Sequence, residues 1–302
     1  MYLMKTIVPT HLYLPAMQTQ EREYHYNYLK KSIIAEKTLS FDFTFIHNGQ
    51  TDEEPKKTIV KINRSNLLIN DEKPDETLVG NLIYYASQAI FPLRLAVNSY
   101  GYPKSICNHS EILERWKSFI PGFKAYYEAG KTIVLLNRIG RIYKNPDNLF
   151  TSIRNDLFLS LFFFPVYGDY GIGRALTIDY EFSFISGQKI KYSLDLEILN
   201  EYTENGKIKI LVSGKSGLLE SDIVSGYFLL NKDRSIHAII INFYFSTYKE
   251  KVEIHIFEKK EIKEREINIH VVYDEKEEQE KLRKNKSFFI EEIEDNKLPK
   301  HR

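Results

Sequence analysis

In the first and last thirds of the chain, apolar and polar residues alternate with period two. Leu39, Phe41, Phe43 and Phe45 alternate with Ser40, Asp42, Thr44 and Ile46, so residues 38–47 read as a half-buried strand. Tyr24, Tyr26 and Tyr28, interleaved with Glu23, His25 and Asn27, give a second strand with an aromatic face. Residues 58–62 and 67–70 supply two shorter candidates. Residues 1–20, which hold Pro9 and Pro15, read as an extended arm with a short strand near 5–8. Behind Pro74 the period changes: Leu78, Leu82, Tyr85 and Ala89 recur at helical spacing, and Pro92 closes that helix.

Residues 92–119 predict a hairpin running into a helix. Leu93, Leu95 and Val97 alternate as a strand, and Asn98-Ser99-Tyr100-Gly101 supplies a turn with a glycine free to take positive φ. A return strand, 102–107, follows. Asn108 with Glu111 three residues on resembles a capping box, and Ile112, Trp116, Phe119 and Ile120 mark one helical face. That helix extends to about residue 128, with an interruption or kink at Pro121-Gly122. For residues 131–144 a helix is favoured over a hairpin. A further helix starts at Asn145-Pro146 and carries the apolar stripe Leu149, Ile153, Leu157, Leu161 and Phe164, widened by Phe150, Phe158 and Phe162, until Pro165 stops it.

After the glycine-rich segment 166–174 the pattern becomes almost purely β. Residues 176–185, 190–199, 208–213, 223–231, 236–246 and 252–257 are six candidate strands, with turns at Ser186-Gly187, Glu204-Asn205-Gly206 and 231–234. A seventh is expected at 266–273. The resulting fold class is α+β: an N-terminal antiparallel sheet with a packed helix, a central helical layer, and a C-terminal six- to seven-stranded antiparallel meander, either an open curved sheet or a half-barrel. The expected segments are 1–107 for the first sheet and its helix, 108–165 for the helical layer, 166–174 for a linker, 175–273 for the meander and 274–302 for a charged tail.

Composition narrows the function classes. With 302 residues, 43% of them hydrophobic and 14% aromatic, the chain can bury a substantial core. Lys plus Arg total 42 against 41 acidic residues, a balance unlike the clustered basic excess of a dedicated nucleic-acid binder. Cys107 is the only cysteine, so there is no disulfide framework. The N-terminal stretch carries no apolar run of signal-peptide length, and the longest apolar stretch, 157–167, is about half of the ~20 residues a membrane span needs. A cytoplasmic setting is expected.

Candidate chemistry is sparse. Cys107 precedes a helix start, where a thiolate could be favoured, but a small buried core cysteine is the expected reading. The eight histidines show no H-x-x-x-H pair; His237 and His255 on neighbouring strands could meet, and exposed strand histidines explain them. Gly168, Gly171 and Gly173 leave a helix for a strand, the reverse of a phosphate loop, so a linker is expected, with Asp169 and Arg174 able to pair across it. The carboxylate pairs Asp179/Glu181, Asp195/Glu197 and Glu111/Glu114 fit solvated faces. No catalytic, metal-binding or cofactor-binding residue is assigned, and no cofactor is expected. One feature favours a function: Phe288, Phe289, Ile290 and Ile293 form an apolar island in the charged tail, a candidate partner-docking element. The expected function is a non-enzymatic interaction or scaffold protein within a larger assembly, with a protein partner or self-association. The alternative is a binder of a small apolar or lipid-like ligand between the C-terminal sheet and the helical layer.

Overall fold

Among the described residues the alternating segments form strands, and all of these strands belong to one sheet. The computed structural model of the chain describes residues 7–14, 20–50, 58–74, 78–126, 130–184 and 187–259. Met1–Lys260 makes one compact unit; Glu261–Arg302 makes a second, which lies outside the described residues together with the expected strand at 266–273. Five strands come from the first third: Gln20–Lys31 (β1), Glu36–Gln50 (β2), Thr58–Ile69 (β3), Leu93–Val97 (β4) and Pro103–Ile106 (β5). Six come from the last: Ala175–Ser183 (β6), Lys189–Ile198 (β7), Ile208–Ser216 (β8), Ile223–Leu230 (β9), Ile236–Phe245 (β10) and Glu250–Glu258 (β11). Every pairing is antiparallel, in the order β5-β4-β3-β2-β1-β11-β10-β9-β8-β7-β6. The N-terminal sheet and the C-terminal meander are thus two halves of an eleven-stranded open sheet, joined where β1 pairs with β11.

Two shorter expectations are corrected. The strands at 58–62 and 67–70 are one strand, β3, bulged against β2 where the register shifts between Ser40 and Asp42. Asn66 takes φ 54° in that bulge, a conformation asparagine tolerates better than most residues, and its side chain donates to Asp42.

Helices fill the connections. Leu78–Ile90 (α1) links β3 to β4, and His109–Tyr126 (α2), Gly130–Lys144 (α3), Pro146–Arg154 (α4) and Leu157–Phe162 (α5) link β5 to β6. Pro121 sits within α2 without ending it. Residues 131–144 are helical. The single helix expected over 145–164 is two, because Asp156 interrupts it: its carboxylate accepts from the Leu159 N–H at 3.0 Å and caps α5. The cap also separates two kinds of surface. α4 buries one stripe, Leu149 and Ile153, whereas all six residues of α5 are buried.

α5 is buried because aromatic rings surround it. Tyr24 and Tyr26 stack on their cross-strand partners Phe43 and Phe41 at 5.0 and 4.6 Å. Phe158 then meets Tyr26, Phe41 and Phe43 edge-on at 5.3, 4.9 and 4.6 Å, and Phe162 meets Tyr24, Phe43 and Phe45. On the other half, Phe182 of β6 touches Phe243 of β10 at 5.0 Å. Those strands are four positions apart in the order, about 19 Å on a flat sheet. Their contact requires the sheet to curl around its apolar face.

Candidate functional site

The two halves of the sheet approach each other at a second place, between its edges. α4 touches β5 and α5 touches β6, so these helices bridge the edge strands, which do not pair. The edges differ. β5 has four residues, begins with Pro103, and its pairing with β4 is irregular at Ala96/Val97. Short length, proline and irregularity all blunt an edge. β6 has nine residues, no proline and an unbroken register with β7 from Ala175↔Glu197 to Ser183↔Lys189.

Between the edges lies a cleft of about 290 Å³, lined among others by Tyr102, Pro103, Arg154, Ser160, Phe163 and Tyr180. Its chemistry is mixed. Arg154, at the end of α4, lies over the Tyr102 ring at 5.1 Å and donates to its hydroxyl. Tyr180 donates to the Ser160 carbonyl at 3.1 Å, and burial pushes its hydroxyl pKa up. Asp179 and Glu181 stand at the rim, 60% and 53% exposed, beside Lys191 at 2.7 Å and Lys189 at 3.2 Å. Next to Tyr24, Phe45, Phe162 and Tyr167 there is a cavity of about 40 Å³, space for a few water molecules at most.

A network of charged and polar side chains closes one end of the β1–β11 joint. Arg22 donates to Glu258 and, at 2.6 Å, to Asp233. Glu258 also meets the His237 Nδ1 at 3.0 Å and accepts from Asn231 at 3.1 Å. Burial works against the charge on Glu258, but the hydrogen bonds from His237, Asn231 and Arg22 prevail and hold its carboxyl down to about 2. Ser235 donates to Asp233 at 2.6 Å, and Tyr24 and Tyr167 donate to the Ile236 and Arg234 carbonyls, both at 2.8 Å. With the Ser235 hydroxyl committed to Asp233 and His237 turned to Glu258, no nucleophile–base pair forms here. The network ties β1, β10, β11 and the turn before β10 together.

Residues singled out by sequence fall as follows. Cys107 is exposed, correcting the expected core position; the buried neighbour is Asn108, which donates to the Pro92 carbonyl at 2.8 Å and accepts from the Arg94 N–H at 2.9 Å. That bond staples the hairpin to α2 in place of a capping box, and Glu111 instead pairs with Arg94. Trp116 is buried and stacks on Tyr143 at 5.1 Å. His237 and His255 do not meet, because His255 pairs in register with Ile240 and His237 turns to Glu258. Asp169 and Arg174 do not pair: Asp169 lies 3.4 Å from His11, and Arg174 donates to the carbonyls of Val8, Ile198 and Leu199. The 166–174 segment itself buries Val166, Tyr167 and Tyr170. Phe288, Phe289, Ile290 and Ile293 lie outside the described residues. Among the described residues no group of three or more His, Cys, Asp or Glu side chains is placed to hold a metal ion, and no helix is long and apolar enough to cross a membrane.

Sequence reasoning missed both Arg22 and Glu258, yet each carries a period-two signal. Arg22 continues the inward row Tyr24, Tyr26, Tyr28, and Glu258 continues Val252, Ile254, Ile256. A charge at an inward position of one strand calls for an opposite charge from another. No protein-family model, curated protein or solved structure matches this chain.

Proposed function

We propose that the chain is a non-enzymatic interaction protein that docks a partner at the β5/β6 seam. The observation carrying this reading is the unequal treatment of the two edges: β5 is blunted, while β6 is long, regular and set beside a cleft of about 290 Å³. The chemistry is that of recognition. Arg154, Tyr102 and Tyr180 offer donors and ring faces, and no paired nucleophile and base stands among them. In this reading the helices between β5 and β6 form a layer that holds the edges apart, the partner is another protein in an assembly, and the apolar island Phe288-Phe289-Ile290 with Ile293 is a second docking element.

A photo-cross-linking side chain placed at Tyr102, at the seam, and separately at Tyr248, in the exposed β10–β11 turn, tests it in extract from the source cell. Discrete adducts are expected at the seam alone; the same adducts at both positions would contradict a seam site. Removing residues 286–302 is expected to weaken partner recovery while leaving the fold unchanged.

The second reading, a small apolar or lipid-like ligand, draws on the position of the same cleft between the C-terminal strands and α4/α5. Mass spectrometry of gently extracted protein separates the two: a co-purified apolar compound supports the ligand, and its absence supports the protein partner.

A further inference from the structure

The backbone of β6 alternates in where it directs its hydrogen-bonding groups. At one end the Phe184 N–H donates to Gln188 at 2.8 Å, and at the other the Ile198 N–H donates to Arg174 at 2.9 Å. Both are hydrogen-bonded pairs of the β6–β7 register, which runs between them without a bulge. In an antiparallel ladder such pairs alternate with pairs whose N–H and C=O point away. Leu176, Ile178, Tyr180 and Phe182 therefore bond to β7. Ala175, Thr177, Asp179, Glu181 and Ser183 direct theirs out of the sheet, where among the described residues no strand receives them.

The side chains repeat the division. Leu176, Ile178 and Tyr180 face inward but are only half-buried, whereas Tyr192, Leu194 and Leu196 behind them on β7 are 0% exposed. One more strand would cover that row. On the outer face, Asp179 and Glu181 pair with lysines on the β7 side and, among the described residues, with none on the open side. A cross-strand neighbour of opposite charge is favoured there.

Resting on the seam as the docking site, we infer that the partner is an extended segment of another protein that adds to β6 as a twelfth strand, with apolar residues toward the cleft alternating with Lys or Arg toward Asp179 and Glu181. A second copy of this chain fits worse. Pairing β6 with itself over its full length sets Asp179 against Asp179 and brings no cation to either acidic cluster from the open side.

The probe is a fluorescent peptide of about ten residues, the upper range of natural strands, alternating Val or Ile with Lys. A shuffled peptide of the same composition and one with Glu in place of Lys serve as controls. Anisotropy titration of the full chain is expected to rank the alternating basic peptide first. Asp179→Lys with Glu181→Lys should weaken it about tenfold or more. Thr177→Pro removes an outward N–H that β7 does not use, so it should weaken binding without loss of fold, checked by circular dichroism. Binding should also slow amide exchange at Thr177, Asp179 and Glu181. Equal affinity for the shuffled peptide, or unchanged exchange at those amides, would overturn strand addition. If no peptide binds while the seam cross-link to a partner persists, strand addition fails and seam docking stands; if the seam cross-link is also absent, both fail.

Discussion

The two halves of this sheet meet twice, and the two meetings are built in opposite ways. At the β1–β11 joint, backbone pairing runs from Tyr24↔Glu258 to Lys31↔Lys251, aromatic rings pack beneath it, and the Arg22–Glu258 network closes one end. At the β5/β6 seam the strands do not pair, helices span the gap, and a cleft remains. Apolar burial and satisfied hydrogen bonds make the first joint a source of stability. The second leaves backbone groups of β6 unpaired by any described strand and its inward side chains half-buried, and in the proposed function a partner completes it. The proposed function thus places stability and recognition at different joints of one sheet.

Substitutions should separate the joints sharply. Phe158→Ala removes a ring that touches Tyr26, Phe41 and Phe43 together, and is expected to cost about 3–5 kcal/mol in urea unfolding. A value near that of a surface change would mean that the helix is not the core's anchor. Arg22→Ala strips the guanidinium from Glu258, whose side chain is 10% exposed, and should cost about 3 kcal/mol. Replacing both, as Arg22→Met with Glu258→Leu, should recover part of that loss, because the uncompensated charge goes with its partner.

Acid should act on the same joint. The Glu258 carboxyl is held below its ordinary 4.5, at about 2, so the folded state binds its proton less readily than the unfolded chain. Its contribution is complete above pH 4.5 and is lost as pH falls toward 2. Asp42 behaves alike: burial opposes its charge, but Lys259, Asn66 and His25 hold it from 3.8 down to about 2. Urea midpoints measured between pH 6 and 2.5 should fall with acid, and Glu258→Gln should flatten that fall; an unchanged slope would remove Glu258 from the account of acid sensitivity. The smallest effect belongs to the seam. Arg154→Ala loses an exposed contact with Tyr102 and should change stability by less than about 1 kcal/mol.

Much of this fold is legible in the sequence because alternation reports burial directly. The rows Ile190, Tyr192, Leu194, Leu196 and Leu39, Phe41, Phe43 declare their inward faces, and the six candidate strands from residue 176 to 257 are all present. Alternation identifies a face and not a neighbour, so the pairing of β1 with β11 stayed hidden, and two sheets were expected where one exists. The split of the helix at Asp156 was obscured by the apolar stripe running through it, although a capping aspartate stood in the middle. Cys107 was misplaced because residue type suggested burial, while the strand end beside Asn108 exposes it. The open edge could not be read at all: whether a strand is terminal depends on topology, and nothing within residues 175–183 encodes it.

Native-state amide exchange across the whole chain tests the contrast between the joints most directly. Amides in the β1–β11 ladder should exchange only through global unfolding, while the outward amides of Thr177, Asp179 and Glu181 should exchange near the rate of an unstructured peptide in the isolated protein. Strong protection of those three amides, or rapid local exchange along β1 and β11, would contradict the assignment of one joint to stability and the other to recognition.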